Sequence, residues 1–367
     1  MLVKIASLNS ASVLTRIAAG LITSKVIALF VGPVGLALIG NLRDVFNTLQ
    51  SFSTLGFYNG IVKYVSEFKN DAKKLTQTIS SVFYLMLIAT IIVALFCFFG
   101  AGYINQYIFP NGENYSYIIK LIAVAIPFYA LNILMTSILN GLSRFKTILK
   151  IQIIGHVLST CLTVVLIWKQ HIHGALLAIV LAEILFFIIT LNGVSDKRYF
   201  LSLISKKNIS LKKIKKLSTF SIMALFTATI APLVALSIRN YIIDTVSIDD
   251  AGFWEAMNRL SNYYLMFVSS LLTLYVLPRF SEINTKLEFR KEVFSFYKTI
   301  MPIFAVGLIA IYFLRHFIIA IVFSKEFQAV ETLFFWQLLG DFIKVLSIVI
   351  AVQFLAKKMF WYYMITE

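Results

Sequence analysis

The sequence predicts an all-α membrane protein, two parallel six-helix lobes around a central cavity, with the second lobe incomplete. Three observations carry this. Of the 367 residues, 59% are hydrophobic and only 14% charged, against about 45–50% and ~25% in soluble domains. So much apolar surface cannot be hidden behind so little polar surface, and the excess must face lipid. Apolar stretches follow one another at the length of roughly 20 residues that a helix needs to cross hydrocarbon. And one patterned segment recurs more than two hundred residues further on.

The expected spans lie at about 8–32, 36–62, 77–101, 116–140, 148–168, 174–194, 217–242, 251–277, 299–323 and 330–354, with an eleventh beginning near Met359. The stretch Met1–Asn9 lacks the pattern of a cleaved signal, because the apolar run after it is too long and has no small-residue cleavage site. It leads into an uncleaved first helix. Lys and Arg in short loops resist translocation and so fix orientation. With the N-terminus in the cytoplasm, 23 of the 33 basic residues fall in cytoplasmic segments and only Lys169 and Lys325 in outer ones. The outer loop at 243–250 instead carries Asp244, Asp249 and Asp250.

That asymmetry accounts for the net charge of +16 without nucleic acid. The run Lys206–Lys216 reads as a topology determinant on anionic headgroups, so membrane lipid is the expected partner of this surface. Cys97 and Cys161 lie in apolar runs and make no disulfide framework or metal spacing. His171 and His173 sit at an outer loop without further ligands, so no metal site is expected. No phosphate-cradling glycine loop is present, so no ATPase and no cofactor are expected. Trp168, Trp254, Trp336 and Trp361 lie near span ends, as interfacial belts do.

The repeat pairs the second span with the eighth. Val34–Gly35 through Asn41 echoes Ala251–Gly252 through Asn258, and Ser66–Glu67–Phe68 echoes Ser281–Glu282–Ile283. A unit of six helices is even, so both halves enter the membrane from the same side. The expected lobes are 1–205 and 206–367, joined by the basic loop. The second stops after the start of helix eleven, so the chain is expected to be C-terminally incomplete or naturally short.

Charges inside the spans point to function. A charged group at mid-bilayer costs about 2.5–3.5 kcal/mol on insertion scales and so usually faces water or a partner. Arg16, Lys25, Arg43, Lys120, Arg239, Arg259, Arg315 and Lys344 lie within spans, against the acids Asp44, Glu183, Glu255 and Asp341. Lys120 and Arg315 are near ends and can snorkel. The others fall on polar stripes at helical spacing. Asn41, Asp44, Thr48 and Ser51 form one, with Arg43, Asn47, Gln50 and Thr54 on the next face. Glu255, Asn258, Arg259 and Asn262 form another, and Gln337, Asp341 and Lys344 a third. Ser12, Arg16, Gly20 and Thr23 line the first span, and Lys25 sits half a revolution from Arg16. Two readings stand. Glu255 with Arg259 and Asp341 with Lys344 can be pairs that merely permit insertion. Taken as a set, with bases in excess, the charges describe a cationic cavity. Its binding residues would be Arg16, Lys25, Arg43, Arg239, Arg259 and Lys344. Asn41, Asp44, Glu255, Asn258, Gln337 and Asp341 would line it or couple an ion.

Three stretches carry a resemblance. They are Ser24–Lys25 through Gly32–Pro33–Val34–Gly35–Leu36 with Asn41–Leu42–Arg43, then Phe57 through Val65, and Trp336–Gln337 through Gly340–Asp341 to Lys344–Val345. Along the chain this resembles the Wzx-type polysaccharide flippases, which include the enterobacterial common antigen (lipid III) flippases and O-antigen translocases. They form the polysaccharide-transport branch of the multidrug/oligosaccharidyl-lipid/polysaccharide exporter superfamily. The resemblance implies two six-helix lobes in a bacterial inner membrane and no enzymatic activity. It implies a lipid-linked oligosaccharide on undecaprenyl diphosphate as substrate, moved to the periplasmic leaflet. It makes polymerase and chain-length machinery of the same pathway expected partners. Arg16, Lys25, Arg43, Lys63, Arg239, Asp341 and Lys344 match basic or polar family positions. Glu183 and Arg259 fall outside the match.

Basic groups in a wet cleft would replace hydration lost by the diphosphate. Rocking of the lobes would expose the cleft alternately. Asp44, Glu255 and Asp341 are the candidates for a coupling proton. The rival transporter, a multidrug/cation antiporter of the same superfamily, should carry acids on the first and seventh spans, where only Arg16, Lys25 and Arg239 occur. A membrane glycosyltransferase or polymerase should show paired carboxylates in a large outer loop, and the loop at about 102–115 offers only Glu113.

Overall fold

A computed structural model describes residues 2–109, 114–194, 197–272, 276–283, 285–357, 359 and 361–362. Asn111 and Glu113 of the outer loop, and the eleventh helix beyond Met359 apart from 361–362, lie outside them. Every regular element among the described residues is helical. This follows from lipid as solvent, where each backbone N–H must be satisfied within its own helix.

Helix α1 (Leu2–Phe30) stops where Gly32 takes a left-handed φ of 74°. Pro33 then opens α2 (Gly32–Thr54) within its first turn, where its missing N–H costs nothing. The second expected span is not one helix. Leu55 (φ 51°) and Gly56 (φ 61°) both turn left-handed and split off α3 (Tyr58–Phe68). Asp71 caps α4 (Ala72–Phe99) by accepting the Lys74 N–H at 3.0 Å. Beyond Gly100 the expected outer loop begins as a further helix, α5 (Ala101–Ile108). Then come α6 (Ser116–Gly141) and α7 (Phe145–Gly193), the latter broken at His171 (φ 47°, ψ −122°).

That break makes α7 a hairpin, so the expected spans 148–168 and 174–194 are its two arms. The His156 and Phe186 rings lie 5.4 Å apart, and a Cβ on Gly155 would sit 2.2 Å from the Phe186 ring. Only glycine lets the arms approach so closely. After α8 (Lys197–Ser202) the chain is tied to α4. The Ser80 hydroxyl donates to Leu203 O at 3.0 Å, and the Ser210 N–H donates to Ser81 Oγ at 2.8 Å. The long α9 (Leu211–Thr245) follows, then α10 (Ile248–Leu271), capped by Ser247, and α11 (Leu277–Glu282). Last come α12 (Lys286–Phe313), α13 (Arg315–Val322), a 3₁₀ stretch Lys325–Leu333, and α14 (Phe334–Ala356).

Seven helical segments among the described residues are long and apolar enough to cross a membrane. One of them is the α7 hairpin, which supplies two of the expected spans. The other two expected spans are α2 and α10, whose polar stripes keep them out of that set. The repeat is visible in the element lengths. A 28-residue α4 is followed by an 8-residue α5, and a 28-residue α12 by an 8-residue α13.

The described chain divides into two compact units. The first is Met1–Val31 with Leu38–Tyr241, and the second is Gly32–Ala37 with Ile242–Glu367. Most of α9 thus packs with the first unit, past the expected boundary at 205/206. The first unit's core is built from α3, α4, α6 and α7 around Ile61, Val65, Ile79, Val82 and Ile138. The second unit's core gathers Val276, Phe280, Phe296, Val345 and Val349 from α11, α12 and α14.

Candidate functional site

The first unit holds a polar knot. Arg239 of α9, 2% exposed, donates through Nη1 to Asn41 Oδ1 at 2.8 Å and to Asp44 Oδ2 at 2.9 Å. Asn41 donates in turn to Ile108 O and to Asn240 Oδ1, both at 2.9 Å. A guanidinium is suited to this place, because its planar fork stays charged and reaches two acceptors at once. The pair fixes α2 to α9 and to the end of α5 within one unit. Arg239 is therefore neutralised by Asp44 in the state seen.

The basic groups on α1 and α2 are disposed otherwise. Arg16 and Arg43 are exposed, and Lys25 is half-buried. Arg16 lies near His156 of α7, and beside it the Ser12 hydroxyl donates to Gln152 Oε1 at 2.9 Å. Arg43 and Gln50 of α2 lie within electrostatic reach of Glu183, on the second arm of α7. One polar face of the first unit thus draws on α1, α2 and both arms of α7.

The second unit contains two further groups. Arg259 Nε donates to Glu255 Oε1 at 2.9 Å, and both side chains are buried. The i, i+4 spacing brings the two charges together. Asn258 is half-buried beside it. Asp341 of α14, 3% exposed, accepts from the Ser261 and Tyr264 hydroxyls of α10 and from Gln337 Nε2 at 3.3 Å. Gln337 also donates to Ser261 Oγ at 3.0 Å. Lys344 is exposed, and among the described residues no salt bridge joins it or any other base to Asp341. Asp341 is thus held by uncharged donors, where Asp44 and Glu255 are held by arginines.

Sequence reasoning missed Asn240, Ser261 and Tyr264. Asn240 adjoins Arg239. Ser261 and Tyr264 continue the Asn258 stripe at three-residue steps, a signal that was present but weak, since hydroxyls are common in spans.

Helical spans carrying basic groups on polar faces, with a buried carboxylate ringed by hydroxyls, define a multi-pass membrane transporter. Residues 1–284 match the family described as polysaccharide biosynthesis protein, and the chain belongs to that family. It is 28% identical to the lipid III flippase of Escherichia coli (strain K12) over 368 aligned residues, covering 98% of this chain and 86% of that one. The lipid III flippase of Shigella flexneri matches with the same figures. Two solved structures share the fold. The lipid II flippase MurJ in an inward closed conformation matches with TM-score 0.65 and 16% identity, over 99% of this chain and 78% of that one. The MATE multidrug transporter DinF-BH matches with TM-score 0.67 and 16% identity, over 98% and 84%. This likeness gives the fold alone, since the two proteins are named for different cargoes.

Proposed function

We propose that this protein flips an undecaprenyl-diphosphate-linked oligosaccharide, an O-antigen or enterobacterial common antigen unit, from the cytoplasmic to the periplasmic leaflet by alternating access. The observation that carries this reading is the accessibility of Arg16 and Lys344 inside spans of a chain related along 98% of its length to lipid III flippases. Exposed cations at such depth are costly unless water or an anion meets them. A diphosphate supplies that anion and gains charge-assisted hydrogen bonds in return.

Arg16, Lys25, Arg43 and Lys344 are assigned to the diphosphate and sugars. Arg239 and Arg259 neutralise Asp44 and Glu255 in the state seen and reach substrate when those pairs open. Asn41, Asn258 and Gln337 line the path. Asp341 carries the coupling proton, because Asp44 and Glu255 are already paired with arginines. The protein lies in the bacterial inner membrane with its N-terminus in the cytoplasm, in line with the basic loops. It hands its cargo to the polymerase and chain-length machinery of the same pathway. The rival cation antiporter should carry acids on the first and seventh spans, where only Arg16, Lys25 and Arg239 occur.

The test is complementation of a flippase-deficient strain at native expression, with insertion checked separately. Arg43→Glu abolishes glycan export while the protein still inserts. Arg43→Lys keeps part of the export if charge suffices and loses it if bidentate phosphate geometry is required. Normal export by Arg43→Glu removes this residue from the mechanism, and the same result at Arg16 and Lys344 removes the cationic path.

A further inference from the structure

An open-sided cavity of about 570 Å³ lies within the first unit, between α2, α4 and α5, with Leu233 of α9 at its edge. Val45, Leu49, Phe52, Val93 and Phe96 form most of its wall, and the surface they present is almost wholly carbon. Thr48 lines it too, but its hydroxyl is turned back onto Asp44 O at 3.0 Å. Tyr103 and Tyr107 stand at the α5 end. Nothing in the wall rewards a polar occupant, and in an apolar pocket a polar group without a partner is penalised. A flexible hydrocarbon chain is what such a wall accepts.

The position on α2 narrows the occupant. Val45, Thr48, Leu49 and Phe52 share the groove face, and Arg43, Asn47 and Gln50 share the opposite one. On the flank between them, Asp44 holds Arg239. One helix therefore presents a polar face that carries Arg43 on one side and a hydrocarbon groove on the other. A ligand with an anionic head and a long apolar tail satisfies both. The groove is not a by-product of the repeat. The second unit's apolar cleft, about 380 Å³, lies between α12 and α14, which correspond to α4 and α6 and not to α2 and α4.

We propose that this groove holds the head-proximal isoprene units of the substrate's polyprenyl tail, an inference that rests on the flippase reading above. The head then travels along the polar face while α2 keeps the tail in hydrocarbon. A bulk phospholipid chain is the competing occupant.

The experiment uses the full chain in proteoliposomes and two substrates, one with a full-length polyprenyl tail and one with a two-isoprene tail. Ala89→Trp fills the groove, and Ala305→Trp fills the cleft of the second unit as a control. Blocking the groove should lower the long-tailed rate about tenfold, which corresponds to about 1.4 kcal/mol. The expected result is that loss for the long-tailed substrate with Ala89→Trp, the short-tailed rate holding within about twofold, and no tail-selective loss with Ala305→Trp. Equal loss for both tails, no loss, or the same selectivity with Ala305→Trp overturns the proposal. A second readout does not need flipping. A polyprenyl diphosphate with a diazirine on its first isoprene units should label α2 and α4 more strongly than a diazirine phosphatidylglycerol does. Equal labelling assigns the groove to bulk lipid. If wild-type protein flips neither substrate, the function reading fails, while the labelling comparison still decides the groove.

Discussion

Asp44 in the first unit and Asp341 in the second are both membrane-embedded carboxylates on polar stripes, yet they are held differently. Asp44 faces a guanidinium at 2.9 Å that is itself 2% exposed. Asp341 has three neutral donors and, among the described residues, no cation. The first arrangement is a strut. Its two charges cancel, and opening it exposes both. The second is held by three uncharged donors, so no ion pair has to open for Asp341 to change partners. The same residue type on two polar stripes is therefore held in two ways, and the partner makes the difference.

The largest effect should come from removing half of the strut. Arg239→Ala leaves Asp44 and Asn41 without their shared donor, and breaking one partner of a buried pair typically costs about 3–5 kcal/mol. The yield and melting temperature of the purified protein should fall sharply. Arg239→Met with Asp44→Leu should recover much of the loss, since an apolar pair of similar volume is often neutral. If Arg239→Ala melts like wild type, the knot is not a strut and Arg239 returns to the substrate path in the resting state.

A smaller effect on stability, with a large one on transport, is expected at Asp341. Asp341→Asn keeps the volume and leaves an acceptor for the two hydroxyls, so stability should change by about 1 kcal/mol. An amide cannot carry the proton. Flipping in proteoliposomes should lose its response to an imposed pH gradient, while substrate still binds. An unchanged response would move coupling away from this residue and erase the contrast with Asp44.

Much of this was legible in the sequence, and the limits have physical causes. The spans show because apolar content is a local property and each helix satisfies its own backbone. Arg239, Asp44 and Asp341 stand out because a charge in hydrocarbon is anomalous wherever it occurs. The second span reads as one helix because a left-handed Leu55 carries no sequence mark, and Gly56 alone is weak evidence for a break. The eight-residue helices α5 and α13 are too short for periodicity to declare them. Partnership is the least legible feature. Arg239 and Asp44 are 195 residues apart, and nothing in either segment names the other. Glu255 and Arg259 could be paired on paper because four residues on a helix fix their meeting. Asp341 and Lys344 satisfied the same kind of rule, yet Asp341 takes its donors from Ser261 and Tyr264 on α10 and from Gln337 on its own helix.

The smallest effect should come from a donor to Asp341. Tyr264→Phe removes one hydroxyl and leaves the ring, so the loss is one hydrogen bond of three, and the net change should be about 0.5 kcal/mol, the low end for a single bond. Ser261 and Gln337 remain as donors to the same carboxylate, and part of that loss should be recovered through them. The informative readout is the response of flipping to an imposed pH gradient, which should weaken when a donor to Asp341 is removed. Arg259→Lys provides the contrast, because it perturbs the neighbouring ion pair on the same helix without touching a donor to Asp341, and should leave the response in place. Equal losses in both variants would mean that α10 acts on transport through its packing. A loss confined to Tyr264→Phe ties the coupling to Asp341.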